Sequence, residues 1–303
     1  MIRILVTDGM EASGVESLRS KGFEVVEQFY EPEDLGNVLK EFDVVVVRSA
    51  TKVRQPIIDK AVEAGRLKLI IRGGVGVDNI DVAYAEGKGI KVANTPNASS
   101  ASVAELALAH MFAITRFVNI SNVSMREGKW DKKKYAGTEI SGKTLGLIGF
   151  GRIAKELAKR AKVLGMRVIY TNRSGKVEGY DEFEYAALEE LLPQVDYLSL
   201  HIPFAKDKGA TISKAQFDMM KDGAYLINCA RGGVVDEAAL IAALNSGKIK
   251  AAGIDVFAEE PTKNTELVNH PKVSVTPHIG ASTVEAQTRI GEEIVSIITE
   301  FFK

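Results

Sequence analysis

Three short segments in the second half of the chain carry groups that can move a proton or grip an anion. They are Cys229-Ala230-Arg231-Gly232-Gly233, Asp255 with Glu259-Glu260-Pro261, and Pro277-His278-Ile279-Gly280. Each follows an apolar run, so each should sit at the carboxyl end of a strand, where open α/β sheets bind ligands. An imidazole exchanges a proton near neutral pH. A carboxylate beside it orients the ring and raises its basicity. An arginine holds a substrate carboxylate through two parallel bonds and polarises a carbonyl. That set suits hydride transfer to or from a hydroxy acid. The remaining candidates divide. His110 lies in an apolar helical stretch and reads as packed; His270, before Pro271, reads as surface; His201 ends a strand and is structural or cofactor-facing. Cys229 has no adjacent histidine and reads as a buried spacer rather than a nucleophile. Glu259 and Glu260 are either both solvated, or Pro261 fixes a turn that aims one inward.

A second kind of chemistry is written at Gly149-Phe150-Gly151-Arg152-Ile153-Ala154, directly after the apolar run 143–148 and opening a helix over Arg152–Leu164. The first glycine permits a tight turn, the second lets a diphosphate approach the backbone, and the alanine permits close helix–strand packing. The amides of the helix start attract phosphate. In that context the pattern predicts a nicotinamide dinucleotide site. The position where an acidic residue would hold the adenosine ribose is Asn172, followed by Arg173. An amide can bond a ribose hydroxyl but does not repel a 2′-phosphate, so NAD is expected with NADP also admissible. Arg173 either meets that phosphate or is a solvated surface residue.

The first third offers anion-binding groups. Arg48, Ser49 and Lys52 form either a phosphate nest or an ordinary loop. Arg72-Gly73-Gly74-Val75-Gly76 offers backbone amides to a carboxylate. Lys132-Lys133-Lys134 reads as a solvated run unless the substrate carries a phosphate.

Such residues need short strands to present them. Runs at 2–8, 23–28, 42–49, 67–74 and 90–96 alternate with helical spacing and predict a parallel sheet covered on both faces. Residues 97–130 have no Gly or Pro between Ser99 and Glu127, which predicts one long helix, or two broken near Asn119. A second series runs through 143–149, 167–172, 196–203, 224–232, 251–258 and 273–280, closed by a helix at 282–303. The expected fold class is α/β with two doubly wound parallel-sheet domains. The length agrees, since 303 residues at about 150 per domain makes two. A net charge of -1 argues against a nucleic-acid or polybasic membrane partner. A single cysteine excludes an internal disulfide and a cysteine-rich zinc site, and no metal is expected. The start carries an early Asp8 and the chain no run of about 20 apolar residues, so neither a signal peptide nor a membrane span is expected, and the location expected is cytoplasmic.

The segments VRSATKV (47–53), GGVGVDNID (73–81), NTPNASS (94–100), GKWDKKKYAGTE (128–139), GLIGFGRIA (146–154), NCARGGVVDE (228–237), GIDVFAEEP (253–261) and PHIGAST (277–283) together resemble the D-isomer-specific 2-hydroxyacid dehydrogenase family. They span nearly the whole chain, and the first and fourth resemble its phosphoglycerate-oxidising members most. The resemblance implies a Rossmann cofactor domain at 97–282. It also implies a flavodoxin-like substrate domain, discontinuous, at 1–96 plus 283–303. It implies Arg231 as the substrate arginine, Glu260 as the carboxylate paired with the base, and His278 as the acid/base. Arg152 and Ile153 would touch the diphosphate, and Asp255 the nicotinamide carboxamide. Val75, Ile202, Cys229, Ala230 and Gly280 would line the cofactor, with Arg231 and His278 at its reactive end. Gly73, Gly74 and the Arg48–Lys52 loop, Ser49 included, would hold the substrate carboxylate and phosphate. The implied activity is NAD-dependent oxidation of 3-phosphoglycerate to 3-phosphohydroxypyruvate, a first step of serine biosynthesis, by a homodimer whose 132–134 loop reaches the partner's substrate. Alternatives are NADPH-dependent reduction of glyoxylate or hydroxypyruvate, or a non-catalytic dinucleotide-sensing regulator. The chain ends at Lys303 soon after its closing helix, so no regulatory domain is expected.

Overall fold

A computed structural model describes all residues, Met1–Lys303. The chain separates into two compact units, one made of Met1–Ser99 with Ala281–Lys303, the other of Ser100–Gly280.

The first unit is built on β1 (Arg3–Val6), β2 (Glu24–Glu27), β3 (Val44–Val47), β4 (Leu69–Arg72) and β5 (Lys91–Asn94). All are parallel, in the order β2-β1-β3-β4-β5. Strand order reverses between β1 and β3, which places a ligand-binding crevice at their carboxyl ends. The unbroken valine run of β3 has a simple cause. Val45 and Val47 pack on one face of the sheet, with Leu5 and Ile70. Val44 and Val46 pack on the other, with Ile4, Val6, Leu69 and Ile71. Both faces are covered, so no position is left for a polar residue. The closing helix, Val284–Phe301, lays Ile290, Ile294 and Ile298 on the second face at four-residue spacing. Burying each such isoleucine contributes about 1.5–3 kcal/mol. A side chain at Gly14 would meet the Gly291 backbone at 3.2 Å, so that glycine lets the first and last helices touch.

The second unit carries β6 (Thr144–Ile148), β7 (Arg167–Thr171), β8 (Glu184–Tyr185), β9 (Tyr197–Leu200), β10 (Ala224–Asn228), β11 (Ile249–Ile254) and β12 (Val273–Val275). The parallel order is β8-β7-β6-β9-β10-β11-β12. This is the doubly wound Rossmann order with a seventh strand, and its switch point lies between β6 and β9. Helix Ser100–Arg116 packs Val103, Ala104, Ala107, Leu108, Met111 and Ile114 against one face of this sheet. No single helix is long and apolar enough to cross a membrane.

Of the two readings of 97–130, the second holds: two helices, with the break at Phe117, two residues before Asn119. Phe117 is left-handed (φ 57°), the Thr115 carbonyl accepts from the Thr138 amide outside the helix, and Val118–Arg126 departs at 62°. Strand β8 was not foreseen, because a two-residue, exposed edge segment carries no apolar run. The observed strands also stop earlier than the apolar runs do. Arg231 and His278 therefore stand on loops beyond Asn228 and Val275, not on strands.

Candidate active site

The Gly149–Ala154 segment forms the turn its residues require. Gly149 has φ +87°, and a side chain there would meet the His201 carbonyl at 2.4 Å and Ile202 Cγ2 at 2.8 Å. It thus brings the end of β6 against the end of β9, at the switch point. A side chain at Gly151 would meet nothing within 4 Å, so this glycine faces open space. Ala154 is fully buried in the helix–sheet core. Gly151 caps helix Arg152–Val163 without a side-chain bond, and no acidic residue lies in the first turn. The amides of Arg152 and Ile153 and the open face at Gly151 therefore fit a diphosphate. At the end of β7, Asn172 Nδ2 donates to Ser174 Oγ (2.8 Å), which leaves its carbonyl oxygen as a neutral acceptor beside exposed Arg173.

The proton-transfer set lies on the loops after β10, β11 and β12. Nδ1 of His278 stands 2.7 Å from Glu260 Oε2, and Glu260 Oε1 accepts from the Phe257 amide (3.1 Å). Burial pushes the Glu260 carboxyl up, but the bonds from His278 and Phe257 and the nearby Arg231 charge outweigh it and hold the group below its usual range. It is ionised at neutral pH and fixes the imidazole through Nδ1, leaving Nε2 for chemistry. Glu259 turns away to pair with Lys263 (2.8 Å), so of the two acids only Glu260 faces the histidine. Arg231 is placed by Asn228. The Asn228 Oδ1 accepts from the Ala230 amide (3.1 Å) and its Nδ2 donates to the Arg231 carbonyl (3.0 Å). Sequence reasoning passed over Asn228, although a buried amide at a strand end signals such a clip.

Other candidates fall into place around this set. Asp255 is 1% exposed, and its carboxylate accepts from Thr276 Oγ1 (2.6 Å), Ile279 N (2.9 Å) and Gly280 N (2.9 Å). Its first task is thus to hold the loop that carries His278. Cys229 is buried, and burial followed by the nearby Asp255 charge pushes its thiol up, which leaves it unreactive. Burial lowers His201 to about 4, so this ring, bonded through Nε2 to Ser199 Oγ (3.0 Å), is neutral and no proton carrier near neutral pH. His270 sits in an exposed contact with Asn245. Lys134 pairs with Asp131 (2.8 Å) beside Trp130, which is 78% exposed.

In the first unit the Arg48–Thr51 loop is tied down by two side chains. Asp8 accepts from Arg48 N (2.6 Å), Thr51 N (3.0 Å) and Thr51 Oγ1 (2.6 Å). Asn79 donates to the carbonyls of Arg48 and Thr51, each at 2.7 Å. The Arg48 guanidinium is half-buried and makes no hydrogen bond or ion pair within the protein; burial lowers its pKa against the opposing field of Asp8. Lys52 is exposed and unpaired, and Ser49 is exposed beside it. The glycine run needs a correction. The Gly73 and Gly74 amides are spent on the Val47 and Arg72 carbonyls, both at 2.9 Å. They continue the strand ladder and close a tight turn, so they are not the free donors expected. The amides of Val75 and Gly76 donate to no protein atom and are the ones available to an anion. A side chain at Gly74 would strike the Arg72 guanidinium, which lies across that glycine.

Comparison with known proteins agrees with this geometry. Residues 108–280 match the family model of the D-isomer specific 2-hydroxyacid dehydrogenase NAD binding domain. A hydroxypyruvate reductase of Thermotoga maritima is 46% identical over 98% of this chain and 97% of its own length. A D-3-phosphoglycerate dehydrogenase of Methanocaldococcus jannaschii is 43% identical over 98% of this chain, which spans 58% of that protein. Among solved structures, the D-lactate dehydrogenase of Aquifex aeolicus, complexed with NAD and lactic acid, superposes with a TM-score of 0.86. It is 30% identical, with 99% of this chain and 95% of that chain covered.

Proposed function

The chain belongs to the D-isomer-specific 2-hydroxyacid dehydrogenase family, and from that premise we propose that it is an NAD-dependent D-3-phosphoglycerate dehydrogenase. In this reading His278 Nε2 takes the proton of the substrate 2-hydroxyl. A nicotinamide cofactor held at the Gly149–Ala154 turn would supply the hydride acceptor for the same carbon, which would become a carbonyl. Glu260, ionised and 2.7 Å from Nδ1, stabilises the imidazolium that results. Arg231 holds the substrate carboxylate and the developing carbonyl oxygen. Gly149, Gly151 and the amides of Arg152 and Ile153 would hold the diphosphate.

The observation that carries the substrate assignment is the half-buried Arg48 guanidinium without a protein partner, with unpaired Lys52 on the same loop. A charge taken partly out of water with no hydrogen bond or ion pair is costly, and the field of Asp8 does not cancel that cost, since burial still lowers the pKa. A phosphate on the substrate would supply the bonded partner. The test is a pair of variants, Arg48→Met and Lys52→Ala. Losing a charged hydrogen bond of about 1.5–3 kcal/mol should raise KM for 3-phosphohydroxypyruvate about 10- to 100-fold. KM for unphosphorylated hydroxypyruvate should change far less; equal changes would refute the phosphate assignment.

A second reading, reduction of hydroxypyruvate or glyoxylate with NADPH, is favoured by neutral Asn172 beside exposed Arg173 and by the Thermotoga relative matched over nearly its full length. A non-catalytic sensor is disfavoured by the intact Arg231, Glu260 and His278 set. A cytoplasmic homodimer is part of the same proposal. Phe112, Val118, Val123, Met125 and Trp130 leave apolar surface exposed on neighbouring segments of the second unit, in keeping with a covered face.

A further inference from the structure

A buried polar chain runs behind the catalytic loop. His110, on helix Ser100–Arg116, is 2% exposed; Ser274 is 6% and Asp255 is 1%. His110 Nδ1 lies 3.1 Å from Ser274 Oγ and Nε2 lies 3.0 Å from Thr276 Oγ1, which is itself 2.6 Å from Asp255 Oδ1. Donor bookkeeping fixes the direction of every bond. A carboxylate only accepts, so the single hydroxyl proton of Thr276 is spent on Asp255. Thr276 Oγ1 can then only accept from His110, which places the ring proton on Nε2. Nδ1 is left to accept from Ser274. Burial pushes the His110 pKa down, against the field of Asp255, so the ring is neutral in this one tautomer. A side chain at Gly253 would strike His110 Cβ at 2.5 Å, so the glycine in β11 makes room for the imidazole.

The chain ends where the backbone needs support. His278 has φ 54°, and only Phe117 shares a positive φ among residues other than glycine. Left-handed backbone costs about 1–2 kcal/mol at such a residue and persists only where its surroundings impose it. Asp255 supplies that constraint on both sides. Its carbonyl accepts from the His278 amide (2.8 Å) and its carboxylate accepts from the next two amides, Ile279 and Gly280. Thr276, itself held by His110, in turn donates to the Asp255 carboxylate.

We propose that His110 is a positioning residue, which through Thr276 and Asp255 keeps the His278 backbone in the conformation that presents Nε2 for proton exchange. The inference rests on His278 as the acid/base. His110→Met fills the space without an N–H, whereas His110→Gln returns a donor near the place of Nε2. Misplacing a reacting group by about an ångström costs on the order of 100-fold, so His110→Met should lower kcat about 10- to 100-fold. KM and the Kd for NADH should stay within about a factor of two, because the loss falls on the transition state alone. His110→Gln should restore most of kcat. In the unliganded protein, the ring resonances of His278 should move in His110→Met and return in His110→Gln. Unchanged kcat per folded molecule in His110→Met, or equal loss in both variants, would overturn the proposal. If His110→Met does not fold, Thr276→Val cuts the same chain with the ring in place, and an unchanged kcat there also overturns it. If the substrate assignment itself is wrong, the ring resonances still decide: a His278 signal indifferent to His110→Met refutes the positioning role.

Discussion

The chemistry proposed here rests on one imidazole held by one carboxylate at 2.7 Å, on a backbone that few residues adopt. His278→Ala should lower turnover by about 100- to 10,000-fold, the range of general acid–base catalysis, while titration still shows NADH binding. Retained turnover would sink the mechanism. His201 and His278 are both imidazoles at strand ends, and sequence alone left the first open. Burial separates them, since it holds His201 neutral down to about 4. The sign for stability follows. A histidine ordinarily titrating at 6.5 takes up its proton in the unfolded chain first, so folded stability falls as pH drops from 6.5 towards about 4. Unfolding free energies measured across that window should decline in the parent and decline less in His201→Asn; parallel curves would refute the assignment. The Glu259–Glu260 choice was likewise open in the sequence, because adjacent residues on a turn differ only in where the turn aims them.

At the scale of the element, the Gly149–Ala154 turn was legible to the residue. Each glycine there answers a steric demand that backbone geometry makes visible in sequence. The two glycines make opposite predictions. Gly149→Ala meets the His201 carbonyl at 2.4 Å with φ +87°, so it should lower the melting temperature as well as cofactor affinity. Gly151→Ala meets nothing, so it should fold with an unchanged melting temperature yet weaken NADH binding, since its methyl occupies the approach to the diphosphate. Equal melting temperatures for the two variants, by calorimetry, would contradict this account. Asn172→Asp should shift preference towards NADH over NADPH by repelling the 2′-phosphate; an unmoved ratio would mean that position 172 does not read the ribose. Less legible were the supports. Asp8 and Asn79 bond to the Arg48–Thr51 backbone from distant segments, and such pairings leave no periodic signal. The Gly73–Gly74 expectation failed for a related reason. Composition shows which amides exist but not which the strand ladder has already used.

At the scale of the molecule, two parallel sheets were readable because fully covered strands are written as unbroken apolar runs. Such runs do not encode the two-residue β8 edge strand, nor where each strand stops short of its apolar run. A homodimer should sediment at twice the monomer mass, and charged substitutions at Val123 and Trp130 should shift it towards monomer; a monomeric parent would remove that part of the proposal. The central claim is the substrate. Its most direct test is one steady-state comparison of 3-phosphohydroxypyruvate, hydroxypyruvate and glyoxylate, each with NADH and with NADPH. The highest kcat/KM is expected for 3-phosphohydroxypyruvate with NADH. A higher value for hydroxypyruvate or glyoxylate, with either cofactor, would contradict it.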